Sequence, residues 1–239
     1  MNTRQRANIS LTALATLCLA QVGGPSQAQA TIFNTRPAFS TANPGLPTEG
    51  FEAGIIPSSQ IQQMPGNTLD KNTNNSYFST GSILDGLRLT AVNSGGAPSS
   101  TNLDLAGGTS VHASGDNTKV IVVDVSTDSL NVLLYNNNAT AVGFDLGAFS
   151  SNGAYTVSVF NGTTLLRTDS FSPAANTYQF VGYTALQPIT RVNISSNFFE
   201  SIDNVSFGVA GVATPEPGSI ALLTGFGISA CVFVKRRKR

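Results

Sequence analysis

The sequence contains no tryptophan, one histidine and two cysteines among 239 residues. Each scarcity removes a chemistry. His112 alone cannot supply the several nitrogen or sulfur ligands of a zinc site. A Ser/His/Asp arrangement would have to use it, yet no Gly-x-Ser-x-Gly elbow occurs to present the serine. His112 therefore reads as an ordinary strand or loop histidine. Cys18 and Cys231 both fall in apolar terminal stretches, so the residues between them fold without a disulfide and hold no thiol nucleophile. Charge is sparse as well, at 11% of residues. Between residues 31 and 214, six cations (Arg36, Lys71, Arg88, Lys119, Arg167, Arg191) face 12 carboxylates, a net charge near −6. Such a domain does not favour nucleic acid or anionic membrane surfaces.

The two ends carry what the middle lacks. Residues 1–30 hold Arg4 and Arg6, an apolar run over 9–20 and a closing Ala28-Gln29-Ala30, the order of a secretory signal peptide with cleavage expected before Thr31. Leu17 stands where a lipobox needs a small residue, so Cys18 belongs to the apolar run. At the other end, Pro215, Glu216 and Pro217 precede 17 uncharged residues, 218–234, and then Lys235, Arg236, Arg237, Lys238 and Arg239. A 17-residue helix spans roughly 25 Å, enough for a thin bilayer. The positive-inside bias holds the cationic tail in the cytoplasm and leaves the preceding chain outside. Pro215 and Pro217 lack donors and fix their own φ, which keeps this tripeptide extended and open to a processing enzyme. The residues alone imply anchoring, and a plain tail anchor satisfies them.

A Pro-Glu-Pro tripeptide, an apolar span and a basic terminus in this order resemble the PEP-CTERM sorting signal of bacteria that carry exosortases. The resemblance implies that an exosortase, a membrane transpeptidase-like enzyme, recognises Pro215, Glu216 and Pro217, cleaves nearby, and releases or transfers the ectodomain. The expected layout is a signal peptide over 1–30, an ectodomain over 31–212 and the sorting signal over 213–239.

Between the ends, strand patterns dominate. Short apolar or alternating runs occur at 48–53, 84–92, 109–113, 119–125, 130–135, 141–146, 154–160, 164–171, 177–183, 189–195 and 201–208, with few helical periodicities. Asn161-Gly162 is the pair favoured in a two-residue hairpin turn. Residues 58–80, rich in Gln, Asn and Ser, read as one long loop. The class expected is all-β, a β-sandwich or jelly roll without a second domain. The opening segment with Phe33, Arg36, Phe39, Phe51 and Glu52, and the later segments 142–149, 155–165, 180–183, 188–195 and 201–208, resemble the ectodomains of PEP-CTERM proteins. These signatures name no ligand.

Site candidates are few. Carbohydrate-binding jelly rolls often set an acid from a first-strand Phe-Glu and an Asp from the last strand on a structural calcium, and by that resemblance Glu52 and Asp203, with Asn204 beside it, form a possible calcium pair. Two carboxylates would need carbonyls and water to reach six to eight oxygens. The plainer reading makes them polar ends of edge strands. Asp124, Asp128, Asp145, Asp169 or Glu200 could meet in space as a glycosidase pair, though their spacing gives no sign of it. Tyr77 and Phe78, in the Asn-rich loop, are the expected exposed aromatic pair for a ligand. The absence of tryptophan weakens sugar stacking. The resulting expectation is an exported, non-enzymatic surface or matrix protein associated with exopolysaccharide. The alternative is a polysaccharide hydrolase or lyase on the same scaffold, and a third reading is a passive subunit assembling through strand edges.

Overall fold

The computed structural model describes residues 30–108, 118–123, 127–135, 138–148 and 153–211. The signal peptide up to Gln29, the strand expected at 109–113, His112, Asp124 and the whole sorting tripeptide with its apolar span and basic tail lie outside the described residues. Among the described residues, no helix is long and apolar enough to cross a membrane.

In chain order the elements are β1 (Thr31–Phe33), α1 (Arg36–Ala42), β2 (Thr48–Glu49), β3 (Ile61–Gln63), β4 (Thr68–Asp70), β5 (Leu87–Val92), β6 (Leu103–Gly107), β7 (Lys119–Val123), β8 (Ser129–Leu134), β9 (Ala141–Gly147), β10 (Tyr155–Asn161), β11 (Thr164–Phe171), β12 (Tyr178–Thr184), β13 (Arg191–Ser196) and β14 (Ser201–Gly208). They form two antiparallel sheets. One runs β1-β12-β9-β14-β7-β6-β3, with β2 also on β14; the other runs β11-β10-β13-β8-β5-β4. The expected all-β sandwich is present.

Alternation drives the packing. On β10, Tyr155, Val157 and Val159 are buried while Thr156 and Ser158 turn away. Their neighbours Ile194, Val192, Leu130, Val132 and Leu89 join them in one core with Val142, Phe144, Ile202 and Phe207 of the opposite sheet. A one-residue slip would turn every one of these outward, which fixes the register.

Three local expectations are corrected. The 58–80 segment contains β3 and β4 rather than one loop. All three β3 residues are exposed and held by β6 through the backbone, so no apolar alternation announces the strand. The hairpin turn is shifted by one residue: Asn161 pairs with Thr164, leaving Gly162 and Thr163 as the loop. Gly162 has φ +57°, the positive value that a II′ turn requires at its first loop position. The strand expected at 48–53 ends at Glu49, because Phe51 takes φ +57° and buries its ring. Glu49 holds that bend, accepting from Phe51 N at 2.8 Å and Leu84 N at 2.9 Å.

The N-terminal segment straps the eight-stranded sheet. Pro37 opens α1, where a missing donor costs nothing. Phe39 buries against Phe180 and Ala141, with Phe33 and Leu46 at the margin. Arg36 anchors the strap from the side: it donates to Asn204 O at 2.9 Å, pairs with Asp145 at 2.9 Å and lies 4.7 Å from the Phe180 ring centre.

Candidate functional site

The outer face of the six-stranded sheet carries an unusual polar row. Register places Thr168, Ser158, Asn193, Asn131, Thr90 and Thr68 side by side, one residue from every strand. All six are neutral hydroxyls or carboxamides; Thr90 and Asn131, in the middle of the row, are buried. They bond in pairs: Ser158 with Thr168 at 3.0 Å, Asn193 Nδ2 donating to Asn131 Oδ1 at 2.9 Å, and Thr68 with Thr90 at 3.4 Å. Adjacent strands lie about 4.8 Å apart, so the row extends over roughly 24 Å.

Two flanking rows differ. Toward one end Ser170, Thr156, Ser195 and Ser129 form a second hydroxyl row, and they open into a cleft of about 770 Å³. Asp128 is the one charged residue among the described residues that line it. Toward the other end, Arg191 lies 4.1 Å from the Phe160 ring centre and Arg88 lies 4.5 Å from that of Tyr135. Arg88 is also bonded to Asp70 at 2.9 Å, which cancels its charge. The face is thus polar, nearly neutral and edged by rings.

The expected exposed pair is not exposed. Phe78 is buried in the core and Tyr77 packs half-buried against it. The cause is local: Asn75 Oδ1 accepts from Tyr77 N at 2.8 Å and Phe78 N at 2.9 Å, turning the loop inward. Ile55 N then bonds Tyr77 O at 2.8 Å. The exposed aromatics among the described residues are instead Tyr135, Phe198 and Phe199. Each adjoins a polar stretch of sequence, Asn-rich after Tyr135 and Ser-Asn before Phe198, and that is the signal a sequence reading could have used.

Glu52 and Asp203 do come within electrostatic reach of each other. Burial, and behind it the charges of Asp145 and Glu52, push Asp203 up to about 7, against the pull of the Asn204 amide. Yet the oxygens are already engaged. Asp203 accepts from Asn204 N at 2.6 Å and Asn204 Nδ2 at 3.2 Å. Glu52 accepts from Lys119 N at 3.0 Å, while Lys119 Nζ bonds Glu52 O at 2.6 Å and stands 3.8 Å from Oε2. An ammonium thus stands beside Glu52. No group of three or more His, Cys, Asp or Glu able to hold a metal occurs among the described residues.

The other acids divide similarly. Asp145 is paired with Arg36, and Asp169 with Arg167 at 2.6 Å. Asp128 accepts from Ser99 Oγ and from Thr101 Oγ1 at 2.5 Å. Glu200 is fully buried, and burial, with some help from Asp128, pushes its carboxyl up to about 8. The Tyr155 hydroxyl is pushed up to about 12 by burial and by Glu200, and it donates to Gly147 O at 2.9 Å and Phe199 O at 3.2 Å.

No protein-family model matches the sequence, and no curated protein matches it. Solved structures do. The chain is similar over 71% of its length, at 12% identity and TM-score 0.34, to a Clostridium thermocellum xylanase 10B comprising CBM22-1 and GH10 modules, of which it spans only 29%. A family 29 carbohydrate-binding module of Piromyces equi matches 38% of this chain and 70% of its own at 13% identity and TM-score 0.28. The K1 cleaved adhesin domain of Lys-gingipain from Porphyromonas gingivalis matches 69% and 98% at 12% identity and TM-score 0.32.

Proposed function

We propose that this chain is an exported bacterial surface or matrix protein, sorted through a PEP-CTERM signal by an exosortase, whose sandwich rests against extracellular polysaccharide without cleaving it. The observation that carries the reading is the row of neutral hydroxyls and carboxamides across all six strands. Uncharged, regularly spaced donors and acceptors suit a neutral polyhydroxylated polymer, whereas an anionic one would call for more cations than Arg191 and the Asp70-paired Arg88 at one edge of this face. Pro215, Glu216 and Pro217 are the sorting motif in this reading, with residues 218–234 and the basic tail holding the precursor in the inner membrane until processing.

Affinity electrophoresis of the full chain in detergent, through gels containing neutral glucan or a uronate polymer, tests the face. Retardation by the neutral polymer is expected, and the double change Asn131→Ala/Asn193→Ala should abolish it. Removing both partners of one bond leaves nothing unpaired, so stability should change little. Unchanged mobility of that variant would remove the face from the site. Shortening of the polymer on incubation would establish the hydrolase or lyase alternative instead. The sorting step has its own readout: mass spectrometry of host fractions should find a chain starting at Thr31 and ending near Pro217, and an intact chain through Arg239 held in the membrane would reduce the tail to an anchor.

A further inference from the structure

Among the described residues, Glu200 is a carboxylate with neither oxygen in a hydrogen bond. It directly precedes β14, and its backbone carbonyl accepts from Val123 N at 3.0 Å. The side chain is fully buried, and neither Oε1 nor Oε2 has a hydrogen-bond partner. Of the hydroxyls nearby, Ser196 donates to Phe198 O at 2.7 Å while also favouring the Glu200 carboxylate, Tyr155 donates to Gly147 O and Phe199 O, and Ser201 Oγ is buried without a partner of its own. A carboxylate taken out of water with no donor is strongly disfavoured. A second acid makes the situation worse rather than better. Asp128 is itself buried, and its charge is felt at Glu200. Ser99 and Thr101 both bond its Oδ2.

Two buried carboxylates of like sign, one with neither oxygen in a well-formed hydrogen bond and only Ser196 and nearby backbone amides to favour its charge, are jointly satisfied by a cation. We propose that Glu200 and Asp128 bind a calcium ion behind the wall of the 770 Å³ cleft, Glu200 through both oxygens and Asp128 through Oδ1. Asp128, Tyr155 and Ser196 line that cleft, giving the ion its route from solvent. The donors are all oxygen, which selects a hard cation, and the six to eight contacts calcium accepts leave room for backbone carbonyls and water. Magnesium dehydrates reluctantly and demands a strict octahedron, which a buried, irregular pair does not present. The site is independent of the polysaccharide reading, and it is distinct from Glu52 and Asp203, where Lys119 and Asn204 already occupy the oxygens.

The test uses the full chain in detergent, stripped with chelator and titrated with calcium chloride by calorimetry and by thermal unfolding. One equivalent should bind and raise the unfolding midpoint. Glu200→Gln should weaken binding by about tenfold or more. Its metal-free form should unfold no earlier than the metal-free parent, because an amide brings no charge into the buried site at any pH; this separates loss of a ligand from loss of the fold. Asp203→Asn should bind calcium as the parent does. Absence of both heat and thermal shift would overturn the proposal, as would a calcium response that survives Glu200→Gln or disappears in Asp203→Asn.

Discussion

Gly182 of β12 stands opposite Gly143 of β9, and neither position has room for a side chain. A Cβ on Gly182 would lie 2.7 Å from Phe39 Cδ2 and 2.9 Å from Phe180 Cε1; one on Gly143 would lie 2.8 Å from Phe180 Cζ. The pair is a flat seat for the rings that dock α1. Gly182→Ala should therefore lift the strap and cost about 1–3 kcal/mol, the usual penalty of overpacking. Chemical denaturation measures it, and faster proteolysis within residues 36–47 should accompany it.

The acids raised by burial set a pH dependence whose sign is unusual. Glu200 moves from 4.5 to about 8 and Asp203 from 3.8 to about 7. In that interval the folded protein keeps protons that the unfolded chain has released, so stability falls as pH rises. The contribution is complete below the unfolded values and lost as pH passes through the folded ones. In chelator, the unfolding midpoint should drop between about pH 5 and pH 8. Glu200→Gln should flatten the upper part of the slope, and calcium should do the same in the parent if it holds Glu200 ionised.

Tyr155 ties the two sheets together, because its ring belongs to the six-stranded sheet and its hydroxyl reaches Gly147 O of the other. Tyr155→Phe should cost about 1–2 kcal/mol and leave Gly147 O short of a partner. Denaturant unfolding at fixed pH checks this.

Phe78→Ala should cost about 3–5 kcal/mol, since the ring fills the core beneath Gly54. Tyr77→Ala should cost less and leave polysaccharide retention unchanged. Melting curves and affinity electrophoresis on the same two variants separate these outcomes.

The strands that alternate cleanly were readable in the chain. β11 and β14 appear with the bounds expected of them, although β11 buries only Leu166 and Phe171, and β14 buries Ile202, Val205 and Phe207 around a register break. The short edge strands were not, since β3 has no buried residue and is defined by backbone pairing alone. The polar row was invisible for a related reason. Thr168, Ser158, Asn193, Asn131, Thr90 and Thr68 are scattered along 101 positions, and only register across five strand pairs brings them together. The influence of Asp128 on Glu200 likewise joins residues 72 positions apart. Phe78 was misplaced because composition marks a loop as polar without revealing that Asn75 folds its aromatic residues inward.

β14 is an interior strand, hydrogen-bonded to β9 on one side and to β7 and then β2 on the other, with a register break between Asp203 and Ser206. Any tension transmitted along the chain beyond residue 211 enters the sandwich through this strand. It arrives along the strand axis, so the ladders on both sides are loaded together in shear and must fail together, whereas an edge strand would peel one bond at a time. A load applied at this point therefore meets more resistance than the same load applied to an edge strand.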